Sequence, residues 1–402
     1  MAVGPDSFPT MYPVAGFRLG TGSAGIKKPG KKDLVIMAVD PGATVAACFT
    51  KNAFCAAPVQ LAKRHLQAAS PRYLVTNTGN ANAGTGNSGL DHAAQVCRAL
   101  AAIAGCSPQE VLPYSTGVIG ERLPVDKIIP ALAATLENCR EEGWDAAGIG
   151  IMTTDTRPKG ASMNFEVDGK TLTLTGIAKG AGMIKPNMAT MLAYVATDAA
   201  VDKALLQEML AASVEASFNR ITVDGDTSTN DAVTLVATGA SGVEVTQANR
   251  ESFQWALDEV LIQLAQAIVR DGEGATKFVT VDVAGGASTE ECLKVAYGVA
   301  ESPLVKTALF ACDPNWGRIL AAIGRSGLDN LDVEAISVHL GDVLIAEGGA
   351  RAPSYTEQAG QAVMNREEIV IAIELGRGGA RERVWTTDLS HDYVTINAEY
   401  RT

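Results

Sequence analysis

The sequence predicts a mixed α/β protein with helices layered over sheets, on three observations. Apolar residues recur at helical spacing in long stretches and at strand spacing in short ones, and the two kinds alternate along the chain. Of 402 residues, 47% are hydrophobic and 19% charged, enough to bury a large core. Forty glycines punctuate the stretches where turns are needed.

Strands are expected, in order, at 34–39, 73–77, 171–178, 191–197, 232–238 and 278–283, the last alternating cleanly. Residues 91–104 predict a helix with Val96, Leu100 and Ile103 on one face and Gly105 as its stop. Residues 202–218 predict a second, with Leu206, Met209, Leu210, Val214 and Phe218 on a stripe and Asp202 as cap. The longest, 250–270, buries Phe253, Leu257, Val260, Leu261, Leu264 and Ile268 and ends at the Asp271-Gly272 turn, leaving Glu273 just beyond. Strands at 336–345 and 368–375 and a helix from Pro303 form a second region, so a domain boundary is placed near Gly285 and Gly286, separating 1–285 from 286–402.

Charge excludes some functions. With 33 basic and 45 acidic residues the net charge is −12, which argues against nucleic acid or an anionic membrane as partner and fits a soluble cytoplasmic protein. Seven cysteines without a C-x-x-C pair suggest reduced thiols, with neither disulfides nor zinc. The first thirty residues lack the basic start and apolar core of a signal peptide, and no window approaches a membrane span. His65, His92, His339 and His391 show no metal-ligand spacing, and the Asp-rich run 223–231 lacks the terminal glutamate of a calcium loop, so no metal is expected. Gly20 to Gly25 matches G-x-G-x-x-G, but Pro29 and Gly30 stand where the helix should run, which speaks against nicotinamide binding.

The run KGAGMIKPNMATMLAYVATD, 179–198, sets Thr190 between a glycine-rich turn and an apolar strand. Such a threonine is ordinary packing in most proteins. If the peptide after Ala189 is strained, however, the Thr190 hydroxyl can attack the preceding carbonyl, pass through an ester and let water divide the chain. The freed α-amine, with a reference pKa of about 7.7 to 8.0, can then take the hydroxyl proton, so nucleophile and base belong to one residue. Thr116 and Gly117 follow Pro113 in an expected turn, where a hydroxyl and an amide could converge on an oxyanion.

These residues resemble the self-cleavage segment of the ornithine acetyltransferase family, also called glutamate N-acetyltransferases. STGVIGERLP (115–124), GIMTTDTRPK (150–159), ITVDGDTSTND (221–231), RDGEGATKF (270–278), DPNWGRI (313–319) and INAEYRT (396–402) resemble further blocks of that family, in family order. The resemblance implies cleavage between Ala189 and Thr190, Thr190 as nucleophile and base, and Thr116 and Gly117 as the oxyanion hole. It also implies a pocket lined by Thr153, Lys179, Thr190, Glu273, Asn397 and Thr402. That set suits an amino acid, offering a cation for the α-carboxylate, an acid for an amine, and neutral groups for orientation. The stretch 386–400 contains enough strand formers to hold the C-terminal tail in place.

The implied fold is a four-layer α/β/β/α sandwich similar to N-terminal nucleophile hydrolases, with a smaller C-terminal α/β domain. The implied activity is cofactor-free transfer of acetyl from N2-acetyl-L-ornithine to L-glutamate in arginine biosynthesis. Some members of the family also take acetyl-CoA as donor and others do not; the bifunctional type is the expectation carried forward. An α chain of 1–189 and a β chain of 190–402 would assemble as an α2β2 heterotetramer. The rival readings are a self-processing aminopeptidase or amidase with water as acceptor, a nicotinamide-dependent oxidoreductase, and a non-catalytic binding protein.

Overall fold

The structure, a computed structural model, describes residues 2–5, 7–27, 30–185 and 191–399; Ala189, Thr190 and Thr402 lie outside the described residues. The chain divides into two compact units, one of Ser7–Asn219 with Thr227–Ile268, the other of Met1–Asp6, Arg220–Asp226 and Val269–Thr402.

The first unit holds two large sheets. One runs in the order β1-β2-β4-β5, from β1 (Phe17–Gly22), β2 (Leu34–Val39), β4 (Tyr73–Asn80) and β5 (Val111–Val118). The other runs β3-β10-β8-β7-β6, from β3 (Thr44–Phe49), β6 (Lys159–Val167), β7 (Lys170–Lys179), β8 (Leu192–Thr197) and β10 (Ala232–Ala237). A short pair, β9 (Ala200–Val201) and β11 (Glu244–Val245), completes the strands. The helices are α1 (Ala57–Ala68), α2 (Gly86–Ala104), α3 (Val125–Glu137), α4 (Trp144–Gly150), α5 (Lys203–Ala216) and α6 (Arg250–Arg270).

β2, β8 and β10 are apolar at nearly every position because both of their faces are covered. Along β2, Val35, Met37 and Val39 enter the core between the sheets, while Leu34 and Ile36 pack under Val96 and Leu100 of α2 and Ile128 and Leu132 of α3. Two tyrosines bind the sheets together: the Tyr114 hydroxyl meets Thr234 Oγ1 and the Tyr194 hydroxyl meets Thr76 Oγ1, each at 2.7 Å. Their rings meet edge to face at 5.3 Å, so large apolar bodies fill the core while every phenol oxygen has a partner. On the far side Phe253 of α6 meets Phe165 of β6 at 5.8 Å, and Gln207 of α5 accepts from the amide of Ala47 in β3. The layers are therefore α/β/β/α, as the resemblance implied.

The second unit is a six-stranded sheet in the order β15-β14-β13-β16-β12-β17. Its strands are β12 (Phe278–Gly286), β13 (Ser337–Leu340), β14 (Val343–Glu347), β15 (Ala350–Arg351), β16 (Glu368–Glu374) and β17 (Ala380–Thr387). Its helices are α7 (Thr289–Ala300), α8 (Pro303–Phe310), α9 (Trp316–Gly324), α10 (Glu357–Met364) and α11 (His391–Ala398). Its core joins Val281 and Val283 to Val295, Val299 and Ile371.

Three expectations shift here. A boundary near Gly285 would cut through the end of β12, which is hydrogen-bonded on both sides by β16 and β17, and the last of the three segments of that compact unit starts at Val269. The strand expected over 336–345 is a hairpin, folded at Gly341 with φ +59°. The tail, whose strand formers were expected to hold it in place, forms the helix α11, started by Ser390, whose side chain accepts from the Tyr393 amide. No helix among the described residues is long and apolar enough to cross a membrane.

Candidate active site

Lys179, the last residue of β7, pairs in register with Leu192, the first of β8. The two flanks of the expected cleavage stretch are thus fixed side by side at one end of the second sheet. Met191 is tied there as well, its carbonyl accepting from the amide of Ala232 at 3.0 Å.

Thr116 and Gly117 sit near the end of β5 and not in a turn, paired with Thr78 and Gly79 of β4 beside a bulge at Asn80. Gly117 has φ +136°, and a Cβ there would lie 2.3 Å from the carbonyl carbon of Gly79. Only glycine lets the backbone pass this closely. Lys179 Nζ donates to Thr116 Oγ1 at 3.5 Å, so the hydroxyl accepts from an ammonium and keeps its own proton to give to an oxygen. From the segment just before β10, Asn230 donates to the carbonyls of Ala81 and Ser115 at 2.6 and 2.9 Å, which fixes the β5 end.

The residue that organises this group was missed in the sequence. Asp155, between α4 and β6, has a fully buried carboxylate that accepts from the amides of Thr153 (2.9 Å) and Gly180 (2.7 Å) and from Lys159 Nζ (2.6 Å), with Lys179 Nζ at 3.9 Å. Burial alone would raise its pKa, but the ammonium groups of Lys159 and Lys179 outweigh that and hold it well below the usual carboxylate range. Thr153 therefore joins Lys179 through a shared carboxylate. Asp231, just before β10, behaves oppositely: burial raises its pKa well above the usual range, although Lys179, Ser228 and the backbone of Met191 pull the other way.

The second unit brings together two more of the expected ligands. Asn397 Nδ2, on α11, donates to Glu273 Oε2 at 2.8 Å, and Glu273 lies just past the end of α6, as read from the sequence. Ala189, Thr190 and Thr402 are outside the described residues, so the grouped ligands are Thr116, Gly117, Thr153 and Lys179 in one unit and Glu273 with Asn397 in the other.

No group of three or more His, Cys, Asp or Glu among the described residues could hold a metal ion, and the seven cysteines are free thiols. Gly20 and Gly22 of the dinucleotide-like motif lie within β1, where a Cβ would come 2.3 Å from Thr135 O and 2.0 Å from Thr135 Oγ1. They let α3 lie against the strand, which accounts for the motif by packing.

An ammonium beside a proton-bearing hydroxyl and a glycine amide suits a carboxylate and an oxyanion, and a buried glutamate held by an amide suits an ammonium. Comparisons with known proteins give the family. The ArgJ family model matches residues 18–402. The arginine biosynthesis bifunctional protein ArgJ of Pseudomonas fluorescens is 61% identical over 406 residues, covering 100% of each chain. Its counterpart in Psychrobacter arcticus is 55% identical over the same extent. Among solved structures, the arginine biosynthesis bifunctional protein of Bacillus halodurans is 40% identical with a TM-score of 0.50, over 52% of this chain and 100% of that one. With a family model across nearly its whole length and close relatives end to end, the chain belongs to the ArgJ family, an acyltransferase family of arginine biosynthesis.

Proposed function

We propose that the protein transfers the acetyl group of N2-acetyl-L-ornithine to L-glutamate by double displacement at Thr190, after cleaving itself between Ala189 and Thr190. The Thr190 hydroxyl attacks the acetyl carbonyl while the α-amine of the same residue takes its proton, and the tetrahedral oxyanion rests on the Thr116 hydroxyl and the Gly117 amide. The C–N bond breaks, the α-amine returns the proton to the leaving amine, and ornithine departs. The glutamate amine then attacks the ester, and the reverse proton transfer frees acetylglutamate and Thr190.

The observation that carries this reading is the hydrogen bond from Lys179 to Thr116. It supports a hydroxyl that donates alongside the glycine amide, beside the strand end that leads out to residue 190. Each oxyanion donor of this kind supplies about 2.7 to 4 kcal/mol. Lys179 and Thr153 suit the α-carboxylate, and Glu273 held by Asn397 suits the ammonium end of ornithine; Thr402 completes the set. Acetyl-CoA serves as a second donor in this reading, which gives the bifunctional activity, and the route needs no cofactor. The α chain 1–189 and β chain 190–402 assemble as α2β2 in the cytoplasm.

Intact mass with N-terminal sequencing tests the cleavage: two fragments, one beginning Thr-Met-Leu-Ala-Tyr, are expected, and Thr190→Ala should stay whole. Acetylglutamate should accumulate from acetylornithine and glutamate. A fully active uncut chain would overturn the mechanism, and acetate release outrunning acetylglutamate formation would mark an amidase instead.

A further inference from the structure

Lys27 follows the glycine motif that packing alone explained, and the function above leaves it unused. Its backbone is held by Asp33, which is buried and whose carboxylate accepts from the amides of Ala24 (2.5 Å), Ile26 (2.6 Å) and Lys27 (3.1 Å). The half-buried side chain runs across β4 at Gly79, the residue paired with Gly117: a Cβ on Gly79 would lie 3.2 Å from Lys27 Cγ. Its ammonium donates to the carbonyl of Met152, next to Thr153, at 2.6 Å and to that of Lys32 at 3.4 Å. Among the described residues it has no carboxylate within ion-pair distance. It lies instead between two elements of the site, the 79/117 strand pair and the 152–153 turn.

Lys179 and Lys31 turn like charge toward Lys27, and the nearby carboxylates of Asp33 and Asp155 are already engaged, Asp33 by three amides and Asp155 by Lys159 at 2.6 Å. A half-buried ammonium beside an oxyanion hole, with no carboxylate paired to it among the described residues, suits an anion. Every substrate and product of the amino-acid cycle proposed above carries an α-carboxylate next to the reacting nitrogen, and that group is the anion closest to the scissile bond. We propose that Lys27 is a specificity-determining residue that, with Lys179 and Thr153, forms a two-cation subsite for the α-carboxylate of both donor and acceptor. The proposal rests on the acetyl-transfer reading. Burial lowers the Lys27 ammonium to about 8; the pull of Asp33 and Asp155 opposes this and the like charges of Lys179 and Lys31 add to it. The subsite therefore loses charge as pH rises through that value.

The test compares N2-acetylornithine with its decarboxylated counterpart, N-acetyl-1,4-diaminobutane, as acetyl donor to glutamate. In Lys27→Met, KM for acetylornithine should rise about tenfold or more, as for loss of a charge-assisted contact. At saturating glutamate its kcat should change little and kcat/KM for the decarboxylated donor should not fall, so the preference between donors collapses, while Lys27→Arg should keep it. Equal losses on both donors would make Lys27 structural and overturn the proposal. Wild-type protein gives an arm free of folding effects: KM for acetylornithine should climb between pH 7 and 9 and that of the decarboxylated donor should stay level, and parallel profiles would also overturn it. Wild-type protein that transfers no acetyl group would refute both this inference and its parent, whereas active protein with an unchanged preference in the methionine variant refutes this one alone.

Discussion

Asp155→Asn is the sharpest perturbation of the site because it keeps shape and removes only charge. The carboxylate is completely buried and Lys159, its partner at 2.6 Å, is 2% exposed, so solvent cannot take over the orphaned ammonium. Breaking a buried pair from one side costs about 3 to 5 kcal/mol, mostly the penalty of the charge left behind. That sum should appear in urea unfolding followed by circular dichroism. The pH dependence has a definite sign. Since the folded carboxyl titrates below its unfolded value of about 3.9, its contribution is fully present above that pH and fades as pH falls toward the folded value. The gap between wild type and variant should therefore narrow below about pH 4. Adding Lys159→Met to Asp155→Asn removes the stranded charge and should recover part of the loss, because charges within one network do not act additively. A loss under about 1 kcal/mol, or a double variant as poor as the sum of the singles, would refute the claim that this pair organises the site.

Two further outcomes are expected. Thr116→Val should lower kcat about 100- to 1000-fold with folding intact, while Thr116→Ser keeps most activity, as read from steady-state rates on acetylornithine. Tyr114→Phe strands the buried Thr234 hydroxyl between the sheets and should cost about 1 to 3 kcal/mol of unfolding free energy with little change in KM.

What the sequence disclosed depended on how local the cause was. The stripe over Arg250–Arg270 and the apolar runs of β2, β8 and β10 are complete within their own windows, and those elements lie where they were expected. The stretch 336–345 looked like one strand because Gly341 could be read as a strand glycine, whereas its positive φ turns the chain back. β-branched Val394, Thr395 and Ile396 suggested strand in the tail, yet the Ser390 cap starts a helix that buries none of its residues. Pro113 suggested a turn at Thr116; in fact β5 is the edge of its sheet, so a proline lacking an N–H costs little there. Of the site, the resemblance supplied Thr116, Gly117, Thr153, Lys179, Glu273 and Asn397. Asp155 escaped because its function lies in contacts to Gly180 and Lys179, distant in sequence, which no local pattern announces.

The strand order of the second sheet has a consequence for a divided chain. β10 and β8 belong to the piece after residue 189, and they are bordered by β3 on one side and β7 on the other, both from the piece before it. Once scission has occurred, neither fragment can leave without unzipping two backbone ladders at once and baring strands that are apolar on both faces. The halves are woven into one fabric, so a nick frees a new terminus at no risk of dissociation, and fragments produced separately should be insoluble until they are expressed together.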